Sequence, residues 1–189
     1  SEVNQTTNSA GSSDQIIVDH TVVDKFNTIP QSYIDKVKKM WFSLAGESHS
    51  SGYRNGALVL QWQYPKFAVS VTESGTPEAY TDTRLRLSRA TWGDLNSISG
   101  WIYSYGEEDW FTSATAITHT KASINYCNTT GPAISVLGFG WCWDHSIYIN
   151  SSNISSYLSA TQQYIDYCTS NGYNTNVIFT TGPVDSYSG

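Results

Sequence analysis

Three short apolar runs stand out in the hydrophobic pattern of this chain. They span residues 41–45, 133–139 and 176–180, and a glycine follows each run within two residues. None of the runs alternates apolar with polar residues, as a half-exposed strand would. Strands that are covered on both faces, as in parallel sheets, have this continuous apolar composition. We therefore predict three buried strands.

Apolar residues at helical spacing separate these strands. Pro30 begins one predicted helix, which leads into the first strand. A second helix is predicted between the acidic residues 107–109 and the stop signal at 128–132, and a third between Asn153 and Gly172. The succession of strand, helix, strand, helix and strand predicts a parallel sheet with right-handed crossovers.

The stretch between the first two buried strands is predicted to contain β-structure. Residues 56–64 and 67–72 are rich in strand-forming side chains and flank Pro65-Lys66, a pattern typical of a hairpin. Residues 85–89 alternate and predict a further, half-exposed strand. The fold prediction is thus a doubly wound α/β sheet with a β-rich insertion near residues 56–72.

Length and charge favour one exported domain. The chain has 189 residues, of which 14% are charged, and a net charge of −6. Residues 1–14 are almost free of apolar side chains and predict a disordered tail or linker, with a single domain over 15–189. No basic cluster exceeds residues 36–39, so nucleic acid is a poor partner, and no apolar run reaches the roughly 20 residues of a membrane span. No cofactor is expected.

Aromatic residues and sequons suggest a secreted or cell-surface protein. Thirteen Tyr and seven Trp would stack on sugar rings, although they would equally fill a core. Four sequons, at Asn4, Asn128, Asn150 and Asn153, would carry glycans in a secreted eukaryotic protein.

The cysteines leave two alternatives. Cys127, Cys142 and Cys168 form an odd set, which allows one disulfide plus a free thiol. Three buried free thiols are the other alternative.

Candidate chemistry lies directly after the predicted strands, where the carboxyl ends of parallel strands share one edge of the sheet. The catalytic candidates are Ser48, His145 and Asp185, and the candidates for pocket or oxyanion contacts are His49, Gly93, Trp141, Trp143 and Asp144. A serine at this edge becomes a nucleophile only when a base and oxyanion donors accompany it.

Several motifs carry a family resemblance. Gly46-Glu47-Ser48, followed by Gly52, resembles the first block of the SGNH (GDSL) hydrolases, with Glu in place of the usual Asp. Asp19-His20, the helix around residues 29–34, Ser48-His49 and segments 138–144 and 180–185 resemble a branch of SGNH-like proteins from secreted bacterial polysaccharide systems. The resemblance covers about residues 15–189. It implies a three-layer flavodoxin-like fold and an esterase acting on a polysaccharide or a related ester, with Ser48 as nucleophile and Gly93 as an oxyanion donor.

The sequence also departs from the family pattern. Trp141-Cys142-Trp143-Asp144 stands where the third block would have Gly-x-Asn-Asp, so an indole N–H would have to replace the asparagine donor, or the tryptophan would serve as a sugar platform. The family's late Asp-x-x-His has no counterpart before Gly189. We expect either that the remainder belongs to another chain or was removed, or that the base was lost. His145 beside Asp144 is the internal substitute, and His49 is a pocket wall.

Two functions from different classes follow. The first is an exported serine ester hydrolase with a carbohydrate or acylated-glycan ligand. The alternative is a non-catalytic extracellular protein on the same scaffold, which binds glycans or self-assembles through an edge in the β-rich residues 56–72. Besides the glycan, a homo-oligomer or a missing C-terminal segment is the expected partner.

Overall fold

The structure is a computed structural model that describes residues 18–46, 48–93, 98–103, 111–140 and 151–180, without the side chains of Ser48, His49 and residues 151–153. The chain divides into two compact units, residues 1–30 and 31–189. In the first unit, a 3-10 helix spans His20–Thr28, and none of its side chains is buried. Asp19 caps this helix, because its carboxylate accepts hydrogen bonds from the amide and the hydroxyl of Thr21. Both bonds lower the pKa of Asp19, and the bond from the hydroxyl has the larger effect.

The second unit is built on a parallel sheet. The strands of the described residues are β1 (Trp41–Ala45), β2 (Val69–Thr72), β3 (Leu85–Ser88), β4 (Thr91–Trp92), β5 (Trp101–Ile102), β6 (Val136–Phe139) and β7 (Asn176–Val177). Five of them form the parallel sheet in the order β2-β3-β1-β6-β7, while β4 and β5 form a separate antiparallel pair. The predicted parallel α/β sheet is therefore confirmed.

The predicted strands lie where the apolar runs are, but they differ in burial. β1 and β6 are central and almost fully buried. β7 is an edge strand of two paired residues, in which Asn176 is exposed, so the prediction of a buried third strand is wrong about burial. Among the described strands, β7 pairs with β6 alone.

The order of the strands places β1 in the middle of the sheet. From β1 the chain moves out to β2 at one edge, returns to β3, and then passes over β1 to β6 and β7. Counted in chain order, the five strands read 2-3-1-4-5, whereas flavodoxin has 2-1-3-4-5. The layered architecture is thus compatible with a flavodoxin-like fold. Relative to flavodoxin, the first and third strands have exchanged places in the sheet.

Helices cover both faces of this sheet. They are α1 (Gln31–Val37), α2 (Ser48–Gln63), α3 (Ala114–Thr129) and α4 (Ser151–Asn171). α3 and α4 pack on each other over the larger core cluster, which includes Trp41 and Ala45. α2 packs on β2, and its Ala57 contacts a smaller cluster that includes Leu44. Alternate residues of β1 point to opposite faces, which is why one strand serves both clusters.

The predicted β-rich insertion near residues 56–72 is wrong. Residues 48–63 are helical, and Pro65–Phe67 forms a short 3-10 helix instead of a hairpin turn. Only β2 is a strand, and it pairs in parallel with β3. Because β1 and β2 belong to the same parallel sheet, the chain between them must cross over it, which a helix does. Packing of that helix on the sheet outweighs the local preference for strand.

The other predicted helices are confirmed with shifted ends. α1 begins directly after Pro30. α3 begins at Ala114, with the Ser113 hydroxyl accepting from the Ala116 amide, and the acidic residues 107–109 lie outside the described residues. α4 ends at Asn171, followed by Gly172 with a φ of +67°. Among the helices of the described ranges, none has the length and hydrophobicity of a membrane span.

Two of the three cysteines and the sequon at Asn128 lie in the described residues. Cys127 and Cys168 are buried free thiols, so a disulfide between them is excluded, and Cys142 lies outside the described residues. Asn128 uses its amide nitrogen to donate to the Ile124 carbonyl and the Thr175 hydroxyl, at 2.8 and 2.9 Å. A glycan at this sequon would replace one of the two hydrogens of this nitrogen, so at least one of the two bonds would be lost.

Candidate functional site

The carboxyl ends of β1 and β6 mark the switch point of the sheet. The connection after β1 runs toward β2, and the connection after β6 runs toward β7 on the other side. Open α/β sheets bind ligands in the crevice that forms where neighbouring connections diverge in this way. Ser48 begins α2 at this place, directly beyond the turn that leaves β1.

Gly46 forms this turn in a conformation that favours glycine. Its φ is +112°, and an added Cβ would overlap the carbonyl oxygen of Gly140 and lie 3.0 Å from the Cβ of Ser50. Gly140 directly follows β6, so the turn after β1 and the end of β6 approach each other closely. The motif glycine is therefore required both by backbone conformation and by space.

A buried arginine joins the start of α2 to the end of β1. Arg54 is 1% exposed, and its Nη1 donates to the Leu44 carbonyl at 3.1 Å and to the Ser50 hydroxyl at 2.8 Å. The Ser50 hydroxyl in turn donates to the Ala45 carbonyl at 2.8 Å. Buried polar groups are stable only when they are paired in this way.

Two further charged residues extend this group along the sheet edge. Arg54 Nε donates to Glu73 Oε1 at 2.5 Å, and Glu73 Oε2 lies 3.3 Å from Arg89 Nε. Glu73 directly follows β2 and Arg89 directly follows β3. Two arginines and one glutamate leave a local charge of +1 in a chain whose net charge is −6.

Tyr103, which follows β5, has a hydroxyl that is buried and has no hydrogen-bond partner within the described ranges. Burial, reinforced by the negative charge of Glu73 and opposed by Arg89, raises the pKa of Tyr103 to about 12. The phenol is therefore neutral at physiological pH. A neutral hydroxyl is able both to donate and to accept a hydrogen bond.

Of the residues singled out from sequence, the structure places three. Ser48 and His49 are the first two residues of α2 at the switch point. Gly93 follows β4 in the antiparallel pair, and its N–H donates to the Gly100 carbonyl at 3.0 Å. An oxyanion role for Gly93 would require that bond to break. Five further candidates lie outside the described residues: Trp141, Trp143, Asp144, His145 and Asp185.

Sequence reasoning missed the arginine group. The available signal was that Arg54 is the only Lys, Arg, Asp or Glu of α2 and stands four residues after Ser50, on the same side of the helix. Its other partners belong to distant segments and carry no local signal. The described residues contain no cluster of three or more His, Cys, Asp or Glu side chains suited to a metal ion.

Fold and site together define an α/β protein with a five-stranded parallel sheet and a glycine turn leading into a helix at its switch point. Comparison with protein-family models, curated proteins and solved structures finds no match to this chain.

Proposed function

We propose that this chain forms the scaffold of an exported serine ester hydrolase of the SGNH type, with Ser48 as its nucleophile. The observation that carries the proposal is the position of Ser48 as first residue of α2, two residues after the glycine turn at the end of the central strand. A strand, a sharp turn and a helix present a serine at the top of an α/β sheet in other hydrolases. The motif resemblance supplies the reaction class.

The start of α2 suits the chemistry of ester cleavage. The first amides of a helix have no partner within the helix, and they carry partial positive charge. When the Ser48 oxygen attacks an ester carbonyl, such amides would stabilise the oxyanion of the tetrahedral intermediate. Collapse of this intermediate releases the alcohol and leaves an acyl-enzyme, which water then hydrolyses.

The reaction also needs a base that takes the proton of the serine. Within this sequence His145, next to Asp144, remains the candidate, and Asp185 remains the third catalytic candidate. The proposed substrate is an acylated polysaccharide or a related ester, because the motifs resemble those of secreted polysaccharide systems. The proposed location is the cell surface or the medium.

Ser48→Ala tests the proposal in the full-length protein, with p-nitrophenyl acetate and an acetylated polysaccharide as substrates. Ser51→Ala is the matched control, because Ser51 is in the same helical turn and, among the described residues, its hydroxyl accepts a bond from the exposed Asn55. We expect Ser48→Ala to abolish turnover and Ser51→Ala to retain it. Equal turnover by Ser48→Ala and the parent protein would rule the proposal out.

A non-catalytic glycan-binding protein is the second candidate. It is favoured by Trp62 on α2, which is 83% exposed and therefore offers its ring to solvent. Sugar rings pack on such aromatic faces. Quenching of tryptophan fluorescence by soluble glycans, lost in Trp62→Ala and unaccompanied by ester turnover, would support it. Within residues 56–72, an edge for self-assembly is confined to β2 (Val69–Thr72), which lies at one edge of the sheet, because residues 48–63 are helical.

A further inference from the structure

We propose that Arg54 is a positioning residue that sets the place of Ser48. Its guanidinium holds the first turn of α2 against the end of β1, and this turn contains the candidate nucleophile. The catalytic consequence rests on the proposed ester hydrolase function. The mechanical consequence, a fixed first turn of α2, concerns the chain itself and is testable without any substrate.

The Leu44 carbonyl lies beyond the pairing of β1 with β3 and is an acceptor that the sheet leaves open. Along β1, the carbonyls of Trp41 and Ala45 accept bonds from the β6 side, whereas Met40 accepts one from β3. Carbonyls of a strand alternate between its two neighbours, so the carbonyl of Leu44 points toward β3. The pairing of β1 with β3 ends at Ser43. Arg54 Nη1 therefore supplies a donor where the strand ladder has run out.

Ser50 fits between the two central strands and the rest of α2. Its Oγ accepts from Arg54 and donates to the Ala45 carbonyl, both at 2.8 Å. A Cβ at Gly140 would lie 2.7 Å from the Cα of Ser50, so the turn is packed against the end of β6. Arg54 thus completes a contact that fixes the backbone of α2 two residues after Ser48.

An arginine suits this position because its partners lie in two directions. Nη1 points to β1 and Ser50, while Nε donates to Glu73 beyond β2, and Glu73 also pairs with Arg89 beyond β3. A planar guanidinium donates hydrogen bonds in both directions at once, whereas the single ammonium of a lysine has no second nitrogen to reach Glu73. Arg54→Lys would therefore keep the charge and lose part of the network.

Turnover is expected to be sensitive to this loss. A displacement of about 1 Å in a reacting group is enough to slow a reaction by about 100-fold. Loosening of the first turn moves Ser48 relative to a bound ester without removing any group that contacts it. We therefore expect kcat to fall while KM changes little.

Arg86 provides a matched control in the same sheet. It is also buried, at 4% exposure, but it pairs with Trp41 at the start of β1. Its guanidinium donates to the carbonyls of Lys39 and Glu78, at 3.3 and 3.4 Å, far along the strand from the switch point. Arg86→Lys thus makes the same chemical change at the opposite end of β1.

The experiment compares Arg54→Lys and Arg86→Lys in the full-length protein by hydrogen exchange, urea denaturation and turnover of p-nitrophenyl acetate. We expect both variants to lose stability. Only Arg54→Lys should speed exchange of the amides of residues 52–55, which bond to the carbonyls of the first turn of α2, by about tenfold or more relative to the amides of β6. It should also lower kcat by about 10- to 100-fold at unchanged KM.

The possible outcomes distinguish the positioning role of Arg54 from the proposed hydrolase function. If Arg54→Lys and Arg86→Lys speed exchange of the amides of residues 52–55 equally, the positioning role is overturned, whatever their turnover. If exchange changes only in Arg54→Lys while Ser48→Ala leaves turnover unchanged, the positioning role stands and the hydrolase proposal is wrong. If Arg54→Lys does not fold, Glu73→Gln replaces it, because it weakens the same network while leaving Arg54 in place. Unchanged exchange of the amides of residues 52–55 would then overturn the inference.

Discussion

Gly140 lies directly against Ser50, so that an added Cβ at residue 140 would stand 2.6 Å from the Cβ of Ser50 and 2.7 Å from its Cα. The end of β6 and the first turn of α2 are therefore in contact through their backbones. Gly46, directly after β1, also lies close to Ser50, because an added Cβ at residue 46 would be 3.0 Å from the Cβ of Ser50. Two glycines thus allow the two central strands and the helix to meet at the switch point.

Gly140→Ala is expected to destabilise the protein by about 1–3 kcal/mol, because overpacking here pushes against a helix backbone. Urea denaturation measures this change in the free energy of unfolding. The control is Gly56→Ala, at an exposed position of α2 where an added Cβ meets nothing within 4 Å. It should stabilise the protein by about 0.5–1 kcal/mol, since alanine favours helix over glycine. Equal destabilisation by both changes would contradict the packing argument.

Ser88→Ala is expected to lower the free energy of unfolding by about 1–3 kcal/mol. The hydroxyl of Ser88 accepts a bond from the indole Nε1 of Trp41 at 3.0 Å, and both residues are fully buried. Without this acceptor, the indole N–H is buried and unpaired. Thr118→Ala, which removes an exposed hydroxyl bonded to the Ala114 carbonyl, is the control and should change stability by less than about 0.5 kcal/mol. Denaturation curves of similar midpoint for the two variants would contradict this prediction.

Stability is expected to fall as the pH rises above about 9. Burial raises the pKa of Cys127 from 9.0 to about 12, against a smaller opposing effect of a hydrogen bond with Ser123, and burial likewise raises the pKa of Tyr164 from 10.0 to about 12. The unfolded chain therefore loses these protons first, which favours unfolding between pH 9 and 12. Each group contributes a slope of up to about 1.4 kcal/mol per pH unit.

Urea denaturation between pH 8 and 11 measures this dependence. Cys127→Ala should reduce the slope that begins near pH 9, to which Cys168 still contributes because burial also raises the pKa of that thiol. The part that begins near pH 10 remains because Tyr164 and Tyr103 are still present. A free energy of unfolding that stays constant to pH 11 would show that none of these groups resists ionisation in the folded state.

Tyr103→Phe is expected to raise stability by about 1 kcal/mol. The hydroxyl of Tyr103 is buried without a partner within the described ranges, so its removal ends a desolvation penalty without breaking a bond. Thermal and urea denaturation measure the effect. Tyr173→Phe is the contrast, because the Tyr173 hydroxyl donates to the Asn125 side chain and its loss should not stabilise the protein. A loss of stability in Tyr103→Phe would show that its hydroxyl is bonded.

Local patterns determined the central elements of this fold. The continuous apolar runs at residues 41–45 and 133–139 led to β1 and β6, because such runs occur where strands are covered on both faces. Pro30 and Gly172 marked the limits of α1 and α4, because backbone preferences at helix ends are local properties. The position of Ser48 after the first strand followed from the same patterns.

Only the tertiary structure decided the path between the central strands. Residues 56–64 have side chains that suit strands, yet the parallel pairing that places β2 in the same sheet as β1 demands a crossover, and the segment becomes α2. The contact of Gly46 and Gly140 with Ser50 likewise depends on β6 lying beside β1. The network of Arg54, Glu73 and Arg89 exists because the sheet brings the ends of three strands together, and the order of strands in a sheet is a long-range property that local sequence does not encode.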